Sequence, residues 1–191
     1  MLSYVSALLT FLSVWLAIGE REGTWVVGIG AVIAASIVLV QLELWGQCIM
    51  QVAYLVTNIY GWWAWRRPQG RQNSIVRHAS GLDLIAYAAI AAASYGLLMG
   101  LYWLSPVLSL TPSDAILTAC SLAAQVALAK KRVEVWCFWI AIDAWSAWWF
   151  YTLGEYGFVL MFGGLSGIAV YALYQWHHLA NKRPLNLIVR I

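Results

Sequence analysis

Charge is what this sequence has least of. Only 10% of its 191 residues are Asp, Glu, Lys or Arg, against about 25% in soluble domains. With 63% apolar residues and a mean hydropathy of +0.74, the chain cannot cover a water-facing surface, which excludes a soluble globular domain and makes it a membrane protein. Cysteine is scarce as well. Cys48, Cys120 and Cys137 lie inside apolar runs with no CxxC and no His/Cys cluster, so they read as buried thiols serving as small hydrophobes. No metal site and no cofactor is expected. HExxH and GxSxG are missing, and His78, His177 and His178 fall in or beside loops, which leaves an intramembrane enzyme without a positioned nucleophile and base. The first apolar segment lacks a basic n-region and an A-x-A-like site, so no cleavable signal peptide is expected.

What is present is apolar sequence in stretches of membrane-spanning length. A spanning helix takes about 20 mostly apolar residues. Seven such runs occur, at about 2–19, 24–41, 44–65, 82–104, 114–129, 135–152 and 156–177. Short polar punctuation divides them, with the stretch RRPQGRQNSIVRH the longest. Tryptophan is abundant, at 13 copies, as expected of indoles placed at membrane–water interfaces.

The basic residues orient the chain. All 11 Lys and Arg fall after runs one, three and five or in the tail: Arg21; Arg66, Arg67, Arg71 and Arg77; Lys130, Lys131 and Arg132; Lys182, Arg183 and Arg190. Seven spans put all of these on one side, which the positive-inside rule makes cytoplasmic, with the N-terminus outside and the C-terminus inside. The other side carries only Glu43, Asp114 and Glu155. The net charge of +3 is therefore a topology signal and no footprint of a nucleic-acid partner.

Residues 4–65 lie over 115–176 without a gap. Arg21 meets Arg132, Trp25 meets Trp136, Gly46 meets Gly157, Tyr60 meets Tyr171 and Trp65 meets Trp176. Identities number about eight in 62, so the punctuation carries the match: a charged turn, a tryptophan after it, a glycine opening the third helix and an aromatic close. The resulting organisation is residues 1–66 as a three-helix bundle, 67–113 as loop and linker helix, 114–178 as a second three-helix bundle and 179–191 as a cytoplasmic tail. Two triplets in the same orientation form a parallel repeat, an architecture of transporters with the substrate site at mid-membrane between the halves.

Helical period places the polar residues. In WCFWIAIDAWSAWWFY, Trp136, Trp139 and Asp143 are spaced i, i+3 and i+7, within about 60° of one another. Trp145, Trp148 and Trp149 point elsewhere and read as packing or interfacial residues. Gln47, Gln51, Tyr54 and Asn58 make a stripe on the third run; Asp114, Thr118, Ser121 and Gln125 make another on the fifth. The hydroxyls Ser3, Ser6, Thr10 and Ser13 on the first run read as bonded back to their own helix. Asp143 differs, because no Lys or Arg lies within any run to pair with it. A carboxylate at mid-membrane costs at least about 2.5–3.5 kcal/mol and so faces a bundle interior or wet cavity. Three amides and a carboxylate beside two indoles suit a flat, polar, cationic ligand: indole faces stack and attract cations, and the polar groups read the ring edge. The outer acids add a mild attraction for such a cation. An isolated intramembrane acid also suits a proton relay, so a proton-coupled carrier stays open.

Three segments resemble the PnuC family of vitamin transporters. MQVAYLVTNIYGWWAW (50–65) is similar to the family's QV…NIYGWxxW, EVWCFWIAID (134–143) to its ExWxxWxxxN, and SDAILTACSLAAQVALAKKR to the helix leading into it. The resemblance implies an all-α integral membrane protein with seven transmembrane helices in a 3+1+3 parallel repeat like that of SWEET sugar transporters, assembled as a homotrimer in a bacterial inner membrane. It also implies facilitated diffusion of a water-soluble vitamin, trapped by a cytoplasmic kinase that phosphorylates it. The family's site maps onto Gln51, Asn58, Thr118, Gln125, Trp136 and Trp139. The chain departs from the pattern at Asp143, where nicotinamide riboside carriers of the family have Asn. An amide donates and accepts, matching a carboxamide, whereas an ionised carboxylate only accepts. That suits the aminopyrimidine and thiazolium of thiamine, the expected substrate, with nicotinamide riboside as the alternative.

Overall fold

The computed structural model describes residues 2–41, 43, 45–66, 75–105, 111–152, 154 and 156–188. Seven helices occupy them: α1 (Leu2–Ile18), α2 (Gly23–Gln41), α3 (Trp45–Arg66), α4 (Gly81–Leu104), α5 (Pro112–Ala129), α6 (Val135–Thr152) and α7 (Tyr156–Ile188). Helices α2, α4, α5 and α7 are long and apolar enough to cross a membrane. Helix α1 is apolar but 17 residues long, and α3 and α6 give up hydropathy to amides, a carboxylate and indoles. Helix α7 continues to Ile188, past residue 178 where a tail is expected, and runs through Pro184. Arg67, Arg71, Glu155 and Arg190, which enter the orientation argument, lie outside the described residues.

The packing is inside-out relative to a soluble protein. The buried core is rich in alanine, including Ala17, Ala119, Ala123, Ala124, Ala127, Ala169 and Ala172, while Leu8, Trp15, Ile85, Leu97, Trp103 and Leu160 are exposed. Small inward residues let helix backbones approach, and large outward ones suit lipid. Trp145, Trp148 and Trp149 belong to this exposed surface. So does Cys137, contrary to the expectation of a buried thiol; Cys48 and Cys120 are half-buried. A thiol needs only an apolar neighbourhood, which lipid supplies as well as protein does.

Positions that the sequence register makes equivalent share local geometry. After α1, Glu20 takes a left-handed conformation (φ 52°), and Glu20 N–H and Arg21 N–H donate to Ala17 O and Leu16 O, each at 3.0 Å. After α5, Lys131 does the same (φ 53°), with Lys131 N–H on Leu128 O at 2.9 Å and Arg132 N–H on Ala127 O at 3.0 Å. Both helices end in the 6→1 and 5→2 bonding of a Schellman cap. The turns after α2 and α6 also match, at Glu43 (φ 57°) and Gly154 (φ 75°). In the first half Trp25 meets Trp65 edge-to-face, at 5.4 Å and 88°; in the second, Trp136 meets Trp176 at 5.2 Å and 88°. Gly61 makes room for the first pair, since a Cβ there would enter the Trp25 ring.

The halves interlock by exchange. Helix α3 packs on α5 and α7 on α1. Trp65 Nε1–H donates to Ala129 O at 3.1 Å, and Trp176 Nε1–H donates to Ile18 O at 3.0 Å, so each half closes on the first-helix end of the other. Lys131 Nζ reaches Glu20 Oε2 at 3.0 Å, with both side chains largely buried. Glu20 and Lys131 are repeat-equivalent, and a residue can touch its own equivalent only close to the axis relating the halves. That ion pair therefore marks the axis.

The linker is tied to the same end. Arg77 N–H donates to Lys131 O and Val133 N–H to Arg77 O, both at 3.2 Å, and Val76 is buried beside them. Ser80 caps α4 through a capping box with Asp83, whose carboxylate also accepts from Arg132 at 3.0 Å. His78 and Ala79 N–H both bond the Glu134 carboxylate at 2.8 Å. The ends of α1, α3 and α5 and the starts of α4 and α6 thus share one basic face.

Candidate functional site

Between the halves lies a cavity of about 360 Å³ lined by residues of α1, α2, α3, α5, α6 and α7. A volume near the low end of about 300–1,000 Å³ is what small-ligand sites use. Gln51, Tyr54 and Asn58 reach it from α3, Gln125 from α5, and Trp136, Trp139 and Asp143 from α6. Phe162, Leu165 and Ala169 of α7 supply an apolar counterface, and Trp25, Gly28 and Val32 of α2 complete the wall.

Two expected site residues do not line it. Thr118 is buried between α5 and α3, where its hydroxyl meets Met50 Sδ at 2.7 Å. Gln47 sits half-buried one turn before Gln51, off the cavity. Both belong to the right helical faces, but each stripe runs about three turns, and the cavity takes in only Gln51 to Asn58 of the α3 stripe and Gln125 of the α5 stripe. Asp114 is likewise not part of a binding stripe; it accepts from Thr111 N–H (3.1 Å) and Thr111 Oγ1 (2.7 Å) as the capping acid of α5.

The α1 hydroxyls need the opposite correction. Ser6, Thr10 and Ser13 all line the cavity. Thr10 does bond back to Ser6 O at 2.9 Å. Ser6, however, donates to Ala31 O at 3.0 Å, and Ser13 and Thr24 exchange bonds with each other's carbonyls at 2.9 and 2.8 Å. They stitch α1 to α2, a use that helical period alone could not separate from back-bonding.

Asp143 is 6% exposed, and no hydrogen bond or ion pair from another described residue reaches its carboxylate. Asn58 is also buried, its Nδ2 donating to Tyr54 O at 2.8 Å. Trp136 is 1% exposed and held edge-on by Trp176, whereas Trp139 lines the cavity half-buried. The Nε1–H groups of Trp25 and Trp136 and Oε1 of Gln125 have no hydrogen-bond partner among the described residues. Buried polar atoms are rarely left so, and all three belong to residues that line the cavity. No cluster of His, Cys, Asp and Glu that could hold a metal occurs among the described residues.

A helical membrane fold of two interlocked halves around a largely apolar cavity with a few polar side chains defines a transporter-like architecture. The family model of the nicotinamide mononucleotide transporter matches residues 1–178. The chain belongs to this family, the PnuC transporters, and is a transporter-family member and no enzyme. It is 27% identical over a 214-residue alignment to the nicotinamide riboside transporter PnuC of Escherichia coli strain K12, covering 95% of this chain and 88% of the relative. The protein of that name from Shigella flexneri matches equally. Among solved structures, the crystal structure of the vitamin B3 transporter PnuC has a similar fold, with a TM-score of 0.76 at 17% identity, over 95% of this chain and 82% of the other.

Proposed function

We propose that this protein carries a small aromatic vitamin across a bacterial inner membrane, with nicotinamide riboside the substrate best supported. The named relatives, aligned over nearly the whole chain, carry nicotinamide riboside, and none of them points to thiamine. The single observation behind the reading is the cavity itself: six helices from both halves enclose amides, a carboxylate and an indole face in a space of vitamin size. Amide side chains at Gln51, Asn58 and Gln125 can both donate to and accept from a carboxamide, and Trp139 can stack on its cationic ring.

In this reading all seven helices cross the membrane as a 3+1+3 SWEET-like repeat, with residues 67–113 linking the triplets and the basic face cytoplasmic. Transport is facilitated diffusion, with a cytoplasmic kinase trapping the vitamin as its phosphate, and the assembly is a homotrimer. Thiamine remains the second reading on one observation, the unpaired Asp143 carboxylate, which matches an aminopyrimidine donor edge better than an amide would.

Calorimetric titration of the purified protein with each vitamin tests the two. Binding of nicotinamide riboside with no response to thiamine is expected, and Asp143→Asn should keep it. Thiamine binding alone, abolished by Asp143→Asn, would replace the first reading with the second. Uptake into liposomes that follows an imposed proton gradient would assign Asp143 to proton coupling instead of ligand contact.

A further inference from the structure

Gly28 of α2 has no side chain, and this is what seats Asn58. The Asn58 amide cannot turn over freely, because Nδ2 already donates to the Tyr54 carbonyl at 2.8 Å. Its Oδ1 must therefore point the other way. There it occupies the space that a Cβ on residue 28 would fill, with Ser13 Oγ only 3.3 Å from the same point. Both residues line the cavity, and Asn58 is 5% exposed. In the second half the equivalent positions are Trp139 and Ala169. Where one half pairs bulk on its second helix with a small residue on its third, the other pairs no side chain with an amide. The two arrangements divide the cavity between a stacking surface and a fixed hydrogen-bond acceptor.

Resting on the reading of this cavity as the substrate site, we propose that Gly28 is a specificity-determining positioning residue. Its missing side chain holds Asn58 Oδ1 as a preset acceptor for an N–H₂ group on the ligand's ring edge. Any side chain at residue 28 displaces that oxygen or forces the amide to break its bond to Tyr54 O. The effect reaches the ligand through Asn58 and requires no contact between ligand and Gly28.

The test is a double-mutant cycle on the purified full chain, with Gly28→Ala, Asn58→Ala and the double variant. Nicotinamide riboside and thiamine are the calorimetric probes, and thermal unfolding is measured beside them. Each single variant should weaken binding roughly tenfold, the size of one lost hydrogen bond, and the double variant should be no weaker than Asn58→Ala. The melting temperature should fall in Gly28→Ala and show no further fall when Gly28→Ala is added to Asn58→Ala. Losses that multiply in the double variant, or a Gly28→Ala protein that binds and melts like wild type, would overturn the inference. A wild-type protein that binds neither vitamin sinks the functional reading and the ligand role of Asn58 with it. The unfolding cycle separately supports or sinks the seat itself.

Discussion

The two halves of this protein agree in their turns and disagree in their cavity walls. Glu20 and Lys131 share a backbone conformation and a capping pattern, as do Glu43 and Gly154, and the Trp25–Trp65 and Trp136–Trp176 pairs share one geometry. At the lining positions the match fails. Gln51, Tyr54 and Asn58 stand opposite Phe162, Leu165 and Ala169 in the repeat, and Val14, Gly28 and Val32 opposite Gln125, Trp139 and Asp143. A two-fold scaffold needs the same turns and wedges in both halves to close. A ligand without two-fold symmetry needs unlike chemistry on the two sides. The first half places its amides on the third helix and the second half its amide and carboxylate on the first and second helices, so these groups line one cavity.

If scaffold positions are equivalent, their substitutions should cost alike. The largest effect is expected for Trp25→Ala and Trp136→Ala, each removing a fully buried indole from an edge-to-face pair at a cost of about 3–5 kcal/mol. Unfolding in detergent should show similar losses for the two; a large disparity would break the symmetry of the scaffold. Lys131→Ala should cost about 1–3 kcal/mol, because it removes the cation of a largely buried ion pair. Exchanging the pair, as Glu20→Lys with Lys131→Glu, should recover most of that loss, since the axis carries each residue onto the other's place.

Lining positions should behave oppositely. Gln51→Ala should weaken nicotinamide riboside binding roughly tenfold, whereas Phe162→Leu, at the equivalent place, should leave it within about twofold. Equal losses at both would mean that the apolar face reads the ligand as closely as the amide face does. The smallest effect on stability is expected at the latches. Trp65→Phe and Trp176→Phe each remove one indole N–H bond across the halves, worth about 1 kcal/mol, and the two melting temperatures should fall together.

Much of this was legible along the chain. Helix number, the basic face and the matched turns follow from hydropathy, charge position and turn residues, because each of those signals is local. Seven of the nine residues expected at the site line the cavity for the same reason: a helical face can be read from spacing. Thr118 and Gln47 lie off the cavity; spacing says which side of a helix a residue occupies and leaves open how far along it the cavity extends. The α1 hydroxyls were misread because a serine bonding its own helix and one bonding a neighbour have the same sequence. Cys137 was misplaced because burial by lipid and burial by protein demand the same side chain.

The sequence by itself determined a membrane protein of seven helices and which faces are polar, since the bilayer and the helix impose those patterns residue by residue. Only the tertiary structure decided which polar faces share one cavity, that Glu20 meets its own equivalent Lys131 at the axis, and that Gly28 is where Asn58 finds its space. These are contacts between segments far apart in the chain. They depend on how one half closes on the other, and no local pattern encodes that closure.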